Sequence, residues 1–264
     1  MGKLDGRVAV VTGAATGIGF GSAKVMASHG ATVIMADLSE AVEESAKQLR
    51  DMGYKAFAKR VDVSKLDATK AFAKEVIEEF GRIDILHNNA GVNHRDRFED
   101  LSVEPRDFIF GVNMYGVWNM TKAIYPYMIE AKYGHIINTS SVTGPIVVEE
   151  GQCSYSMTKG AVLALTKALA YEAAEFNITV NAILPGWVRT PMVERSAKNS
   201  RPDDPESALR DMAKFIPMRR LATVEELGDL VAFLASEDSR YITGTGIVID
   251  GGSTLPETFD ILHA

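Results

Sequence analysis

The sequence has 264 residues, 46% hydrophobic and 24% charged, with a formal net charge of −7. That balance buries a sizeable core and leaves no long stretch with the composition of disorder, while the acidity gives no general attraction to phosphate backbones, so nucleic acid is not an expected partner. The single cysteine, Cys153, excludes an internal disulfide, and no apolar run approaches the length that spans a bilayer. Met1 to Val11 has no basic region followed by a signal-like apolar stretch; a cytoplasmic protein without a membrane partner is expected.

Short β-branched runs alternate with longer segments of helical period. Arg7–Thr12 reads as a strand and Gly17–His29 as a helix stopped by Gly30. Ala31–Ala36 is the next strand, followed by a helix over Ser39–Met52 with Ser39 as its cap. Lys55–Val61 is a strand, Ser64–Phe80 a helix between a serine cap and a glycine stop, and Ile83–Asn88 a strand. A long helical stretch covers Glu104–Lys132. His135–Thr139 (strand), Gln152–Glu175 (helix), Thr179–Leu184 (strand), Val224–Ser236 (helix) and Gly246–Asp250 (strand) complete the series. Such alternation predicts an α/β fold, a single-domain, doubly wound, mostly parallel sheet with helices on both faces and right-handed crossovers. Only Pro191–Pro217 departs: it is polar and weakly periodic, Asn199–Glu206 reads as a surface loop, and an excursion of this length suits a substrate lid.

The first strand ends in Gly13-Ala14-Ala15-Thr16-Gly17-Ile18-Gly19. Gly13, Gly17 and Gly19 let the backbone turn tightly and approach a pyrophosphate, and the helix opening at Thr16–Ile18 offers unpaired N–H groups and partial positive charge. The spacing is G-x-x-x-G-x-G, and its place between the first strand and the first helix makes it a nucleotide signal. Asp37 follows the second strand about 20 residues on; an acid there accepts hydrogen bonds from ribose hydroxyls and repels a 2′-phosphate, favouring NAD (NADH) over NADP. The bland alternative is a turn before Ser39. Asp62-Val63 and Asn89-Ala90-Gly91 lie at the carboxyl ends of the third and fourth strands, where ligands bind in open sheets, although either segment suits plain turn chemistry.

Tyr155 and Lys159 stand four apart on a predicted helix and so share a face. An ammonium beside a phenol favours phenolate and moves its pKa toward a working pH. The spacing alone is weak, and context carries it. Ser141, ending the preceding strand, could donate to a substrate oxygen as charge develops, or be an ordinary turn serine. Asn113 lies within a helix, where asparagine needs a partner, a water or a backbone carbonyl. Pro185-Gly186-Trp187-Val188-Arg189-Thr190 follows the sixth strand; Thr190 could bond a nicotinamide carboxamide, and Trp187 could wall a substrate pocket or pack in the core or lid. No metal site is expected. Cys153 reads as a small helix-entry residue more readily than as a reactive thiol.

Taken in order, Thr12–Gly19, Asp62, Asn88–Gly91, Asn113, Ser141, Tyr155/Lys159 and Pro185–Thr190 give a pattern that resembles the short-chain dehydrogenase/reductases of the common single-domain type, from about Gly6 to Gly252. The segments Asp204–Ser207, Ile216–Leu221 and Ile249–Thr258 look especially like the UcpA-type bacterial branch. The resemblance implies a seven-stranded parallel sheet and a tetrad in which Tyr155 is the general acid/base, Ser141 polarises the carbonyl, Lys159 tunes Tyr155 and holds the ribose, and Asn113 anchors a water chain. It also implies a homotetramer, paired through the helices around Asn113 and Tyr155 and through the last strand. Two departures stand out. Thirteen residues separate Ser141 from Tyr155, one more than the family's usual spacing, which makes Ser140 a rival. His87 occupies a strand position where the family has a small aliphatic residue; a satisfied core histidine is the simpler reading.

The expected function is hydride exchange between NAD(H) and a carbonyl or secondary alcohol of a small molecule: sugar, polyol, diketone or aldehyde. Asn93, His94, Ser141, Thr143, Gln152 and Trp187 are the substrate residues, with Val92, Val142, Glu149 and Met192 beside them; the polar members tilt toward a hydroxylated substrate. The rival class is a non-catalytic dinucleotide sensor, which would typically lose the tyrosine or the lysine; both are present.

Overall fold

A computed structural model of the chain describes residues 2–256; Glu257 and Thr258, the end of one segment quoted above, lie outside the described residues. Seven strands form the sheet: β1 (Val8–Thr12), β2 (Thr32–Asp37), β3 (Ala56–Arg60), β4 (Ile85–Asn88), β5 (Gly134–Thr139), β6 (Ile178–Pro185) and β7 (Gly246–Ile249). Their order in space is β3-β2-β1-β4-β5-β6-β7, and every neighbouring pair is parallel. The helices are α1 (Gly17–Ser28), α2 (Ala41–Asp51), α3 (Leu66–Phe80), α4 (Val103–Phe110), α5 (Gly116–Ala131), α6 (Cys153–Ala173), α7 (Pro191–Ser200), α8 (Pro205–Lys214) and α9 (Val224–Leu234).

The continuous apolar runs of the central strands follow from burial on both faces. On β1, Val8 and Val10 enter a core with Phe72, Val76, Met120 and Ile124 of α3 and α5, while Ala9 and Val11 enter a second core with Met26 of α1 and Leu227 and Val231 of α9. Each fully buried side chain of this size contributes roughly 1.5–3 kcal/mol by transfer from water. α1 and α9 touch through small residues: a Cβ on Gly21 would lie 2.6 Å from the Val224 carbonyl oxygen. Gly21→Ala would therefore push apart the helix that opens at the glycine loop. A capping box starts α9, with Glu226 N–H donating to Thr223 Oγ1 at 3.2 Å and Thr223 N–H donating to Glu226 Oε2 at 2.8 Å.

Two stretches differ from the sequence expectation. The polar segment 191–217 holds two helices, and the expected loop at Asn199–Glu206 shrinks to the few residues between α7 and α8. Each helix has a capping residue followed by proline in its first turn: Val193 N–H donates to Thr190 Oγ1, and Ser207 N–H donates to Asp204 Oδ1. At ten residues apiece, with Ala197 and Leu209 as the only buried positions, their apolar stripe is too brief to register as a period. The long helix expected over Glu104–Lys132 is interrupted by a π turn at Gly111–Tyr115, a widened turn of the kind found at functional sites.

Candidate active site

Between β1 and β4 the strand order reverses, which opens a crevice at the carboxyl ends of the strands. Two cavities of about 590 and 570 Å³ lie there, and both are lined by Ile18, Asn93, Thr139, Tyr155, Thr190 and Met192.

The larger cavity collects Gly13, Thr16, Gly17, Ile18, Asp37, Asp62, Val63, Asn89, Ala90 and Gly91 together with Tyr155 and Lys159. Gly13 has φ +64°, and a Cβ there would come within 2.8 Å of the Ala90 Cα, so the turn and the close approach both require glycine. Thr12 Oγ1 accepts from the N–H groups of Asn89 and Ala90 at 2.9 and 3.0 Å, and Asn89 Nδ2 donates to Thr12 O at 3.1 Å. These bonds stitch the end of β4 to the glycine loop. Asp37 begins the turn and also lines the cavity: Ser39 N–H donates to Oδ1 at 2.9 Å and Ala15 N–H to Oδ2 at 3.0 Å, which fixes the carboxylate. Asp62 combines the two roles as well, accepting from Ser64 N–H and Oγ through Oδ1 alone. Gly19 stays beneath the loop, where a Cβ would meet Gly13 O at 2.2 Å. A carboxylate acceptor, a glycine-lined helix N-terminus and a phenol with an ammonium on one cavity fit a nicotinamide dinucleotide.

Where the cavities meet, Lys159 is buried and Tyr155 half-buried on α6. Burial pushes the Tyr155 phenol up; a hydrogen bond with Ser141 opposes that, and the charge of Glu149 adds to it. This corrects the expectation that Lys159 would bring the phenol down. Its Nζ is committed to Thr139 O at 2.8 Å and lies 5.5 Å from the ring centroid, so desolvation dominates. Burial lowers Lys159 itself to about 8. Of the two serines, Ser140 Oγ donates to Lys159 O at 2.8 Å, whereas Ser141 Oγ accepts Thr143 N–H at 3.0 Å and bears on the Tyr155 phenol.

Asn113 sits in the π turn, fully buried. Its Oδ1 accepts Val92 N–H and its Nδ2 donates to Val92 O, both at 2.8 Å, with Thr158 Oγ1 at 3.4 Å. The partner is thus a backbone carbonyl, and the side chain braces the segment after β4; a water here would have to be held by main chain. His87 is also fully buried, with Nε2 2.9 Å from Thr139 Oγ1, and burial holds it down to about 3; it is a core histidine but only half satisfied, since Nδ1 has no partner among the described residues.

Pro185, Gly186, Trp187, Val188 and Thr190 line the smaller cavity with Asn93, Ser141, Thr143 and Gln152. His94 does not line either cavity: it is half-exposed, with Nε2 2.6 Å from Asp96 Oδ2, because the loop after β4 turns outward there. Its expected substrate role is withdrawn. The structure adds residues that the sequence reading missed. Arg95, Val193, Phe215 and Ser253 line the smaller cavity, and Lys65 and Arg195 the larger. Thr190-Pro191 and Asp204-Pro205, read as helix starts, would have signalled the members on and after α7 and α8; Ser253 carried no local signal, since β7 places it.

The model of a family described as enoyl-(acyl carrier protein) reductase matches residues 13–254. The oxidoreductase UcpA of Escherichia coli K12 is 52% identical over 261 residues, 99% of each chain. Among solved structures, levodione reductase superposes with a TM-score of 0.90 at 32% identity, covering 95% of this chain and 98% of that one. The aldohexose dehydrogenase of Thermoplasma acidophilum superposes with a TM-score of 0.89 at 31% identity, covering 98% of each. With the glycine loop, the sheet order and the Tyr155/Lys159 face already in place, matches over nearly the whole length leave one assignment: the chain belongs to the short-chain dehydrogenase/reductase family of oxidoreductases.

Proposed function

We propose that the chain is an NAD(H)-dependent oxidoreductase that interconverts a carbonyl and a secondary alcohol of a small molecule, with Tyr155 as general acid/base. The observation that carries this is Tyr155 at the junction of the two cavities, with Ser141 in the lining of one and Lys159 one turn further along α6 in the lining of the other. The nicotinamide, when bound, supplies or accepts the hydride. In reduction the Tyr155 hydroxyl donates its proton to the substrate oxygen, and Ser141 Oγ donates a hydrogen bond to the same oxygen as charge develops. A phenol raised by burial stays protonated through the neutral range, as a donor needs. In oxidation the Tyr155 phenolate takes the alcohol proton. Lys159 is also assigned the ribose, Asn113 the support of Val92 through which the cavity wall is held, and Thr190 the carboxamide.

Asp37 supports NAD over NADP, because a 2′-phosphate would face a fixed carboxylate. Lys65 and Arg195 line the same cavity and limit that discrimination. NADH oxidation with a panel of carbonyls, repeated with NADPH, tests the reading: kcat/KM should favour NADH by at least about tenfold, or roughly 1.4 kcal/mol. Asp37→Ala with Leu38→Arg should narrow or reverse the ratio. No turnover with any carbonyl, or a preference for NADPH in the unmodified protein, would count against it.

One catalytic domain is proposed, with α7 and α8 as a lid beside both cavities. A homotetramer is proposed on the exposed side chains of Phe108, Tyr115 and Trp118 near α5 and of Met157 and Tyr171 on α6. Hydrogen exchange with and without NADH tests the lid, and sedimentation tests the assembly. The single cysteine suits a reducing compartment, and the cytoplasm is the proposed location.

A further inference from the structure

The smaller cavity holds one carboxylate whose hydrogen-bonding capacity is half used. Glu149 lies just before α6 and lines the cavity with Tyr155. Gln152, only 3% exposed, donates Nε2 to Glu149 Oε2 at 2.7 Å, and Arg95 from the loop after β4 pairs with the same oxygen. Both bonds fall on Oε2; among the described residues Oε1 takes none. Arg95 and Gln152 together fix the direction of the carboxylate. Glu149 acts on the reaction centre, since its charge bears on the Tyr155 phenol in the same sense as burial does. Val147, Trp187, Met192 and Val193 give the same cavity an apolar part of its lining.

A carboxylate with an unused oxygen accepts a hydroxyl hydrogen and repels an anion. We propose that Glu149 Oε1 is the substrate-selecting group, and that the substrate class is neutral and hydroxylated: an α-hydroxy carbonyl compound and its vicinal diol, with 2-oxo and 2-hydroxy acids excluded. The reacting oxygen lies on Ser141 and Tyr155, the neighbouring hydroxyl donates to Glu149 Oε1, and the carbon skeleton packs on the apolar wall. Arg95 is the charge that would argue for an acid substrate, but at 53% side-chain exposure against 30% for Glu149 it is the more solvent-screened member of the pair. This inference rests on the oxidoreductase reading above.

The test uses three four-carbon compounds with NADH: acetoin, 2-butanone and 2-oxobutanoate. Acetoin should exceed 2-butanone in kcat/KM by at least about tenfold, as expected when a polar group is built to bond a substrate hydroxyl, and 2-oxobutanoate should trail both. Glu149→Ala should reduce the acetoin-to-butanone ratio by about tenfold. The isosteric Glu149→Gln should keep most of that ratio while relieving the penalty on 2-oxobutanoate, because it keeps an acceptor and loses the charge. Equal ratios in all three proteins, or a wild-type preference for 2-oxobutanoate, would overturn the inference while leaving the oxidoreductase reading intact. A second readout does not need turnover. In a Trp118→Phe background the remaining Trp187 reports on the cavity, and acetoin should change its fluorescence at concentrations that rise about tenfold in Glu149→Ala. If no compound is turned over, a selective acetoin response lost in Glu149→Ala still supports the selection, and an identical response in both proteins rejects it.

Discussion

The two ends of the sheet are both rich in polar and titratable groups, and they use them in opposite ways. At the amino end, between the starts of β1, β4, β5 and β6, every group is spent on another. Asp84, 2% exposed, accepts Val8 N–H at 2.8 Å, Arg7 at 3.3 Å and Arg82 Nε at 2.8 Å. The Arg7 guanidinium lies 3.9 Å over the Tyr133 ring, the Tyr133 hydroxyl is 3.0 Å from His135 Nε2, and His135 Nδ1 is 2.8 Å from Thr179 Oγ1. At the carboxyl end, Tyr155, Lys159, Ser141 and Glu149 border cavities and keep capacity unspent. Parallel topology accounts for the asymmetry: each strand feeds a helix whose N-terminus, with its unpaired N–H groups, lies at the carboxyl end, where it can serve a ligand. A closed polar cluster holds strands together; an open one is available for chemistry.

The strongest way to break the comparison is at Tyr155. Tyr155→Phe keeps the ring and its packing, so NADH binding should persist while turnover falls by roughly 10²–10⁴-fold. Retention of more than about a tenth of turnover, where chemistry limits the rate, would remove Tyr155 from the acid/base role. Lys159→Ala should differ by losing rate and NADH affinity together, which titration of NADH fluorescence would show.

Asp84→Ala is the counterpart at the closed end. It strips the partner from Val8 N–H and from two arginines at once, and should cost about 3–5 kcal/mol in urea denaturation. kcat and KM should barely change at a temperature where the variant is folded. A comparable loss of activity without a loss of stability would mean that the two ends are coupled.

The smallest effect sharpens the contrast through pH. Burial lowers His135 to about 4 and His87 to about 3. Below the unfolded value near 6.5 the unfolded chain takes up protons that the folded chain refuses, so stability falls as pH falls from 6.5 toward those values. Between pH 6.5 and 5.5 each histidine costs about 1 kcal/mol. The double variant His87→Leu, His135→Gln should flatten thermal stability over that interval, and an unchanged slope would assign the acid sensitivity to other groups. Lys159 acts in the other range: with its folded value at about 8 and its unfolded value near 10.5, stability gains as pH rises between them.

Much of this was legible in the residues themselves. Period and punctuation located the seven strands, because a strand buried on both faces is an uninterrupted apolar run and the helices between are stopped by residues such as Gly30 and Gly81. The glycine loop, Asp37 and the Tyr155/Lys159 face were likewise readable, since each rests on a local backbone requirement or a fixed helical offset. Tertiary structure decided what depends on which groups meet. The burial that lifts the Tyr155 phenol, the bond that turns Ser140 away and leaves Ser141 on the site, and the outward turn that takes His94 to Asp96 all arise between distant segments. So does the setting of Glu149: Arg95 joins residues 149 and 152 only when the loop after β4 folds against the start of α6, which puts both bonds on one oxygen of a carboxylate that lines a cavity with Tyr155.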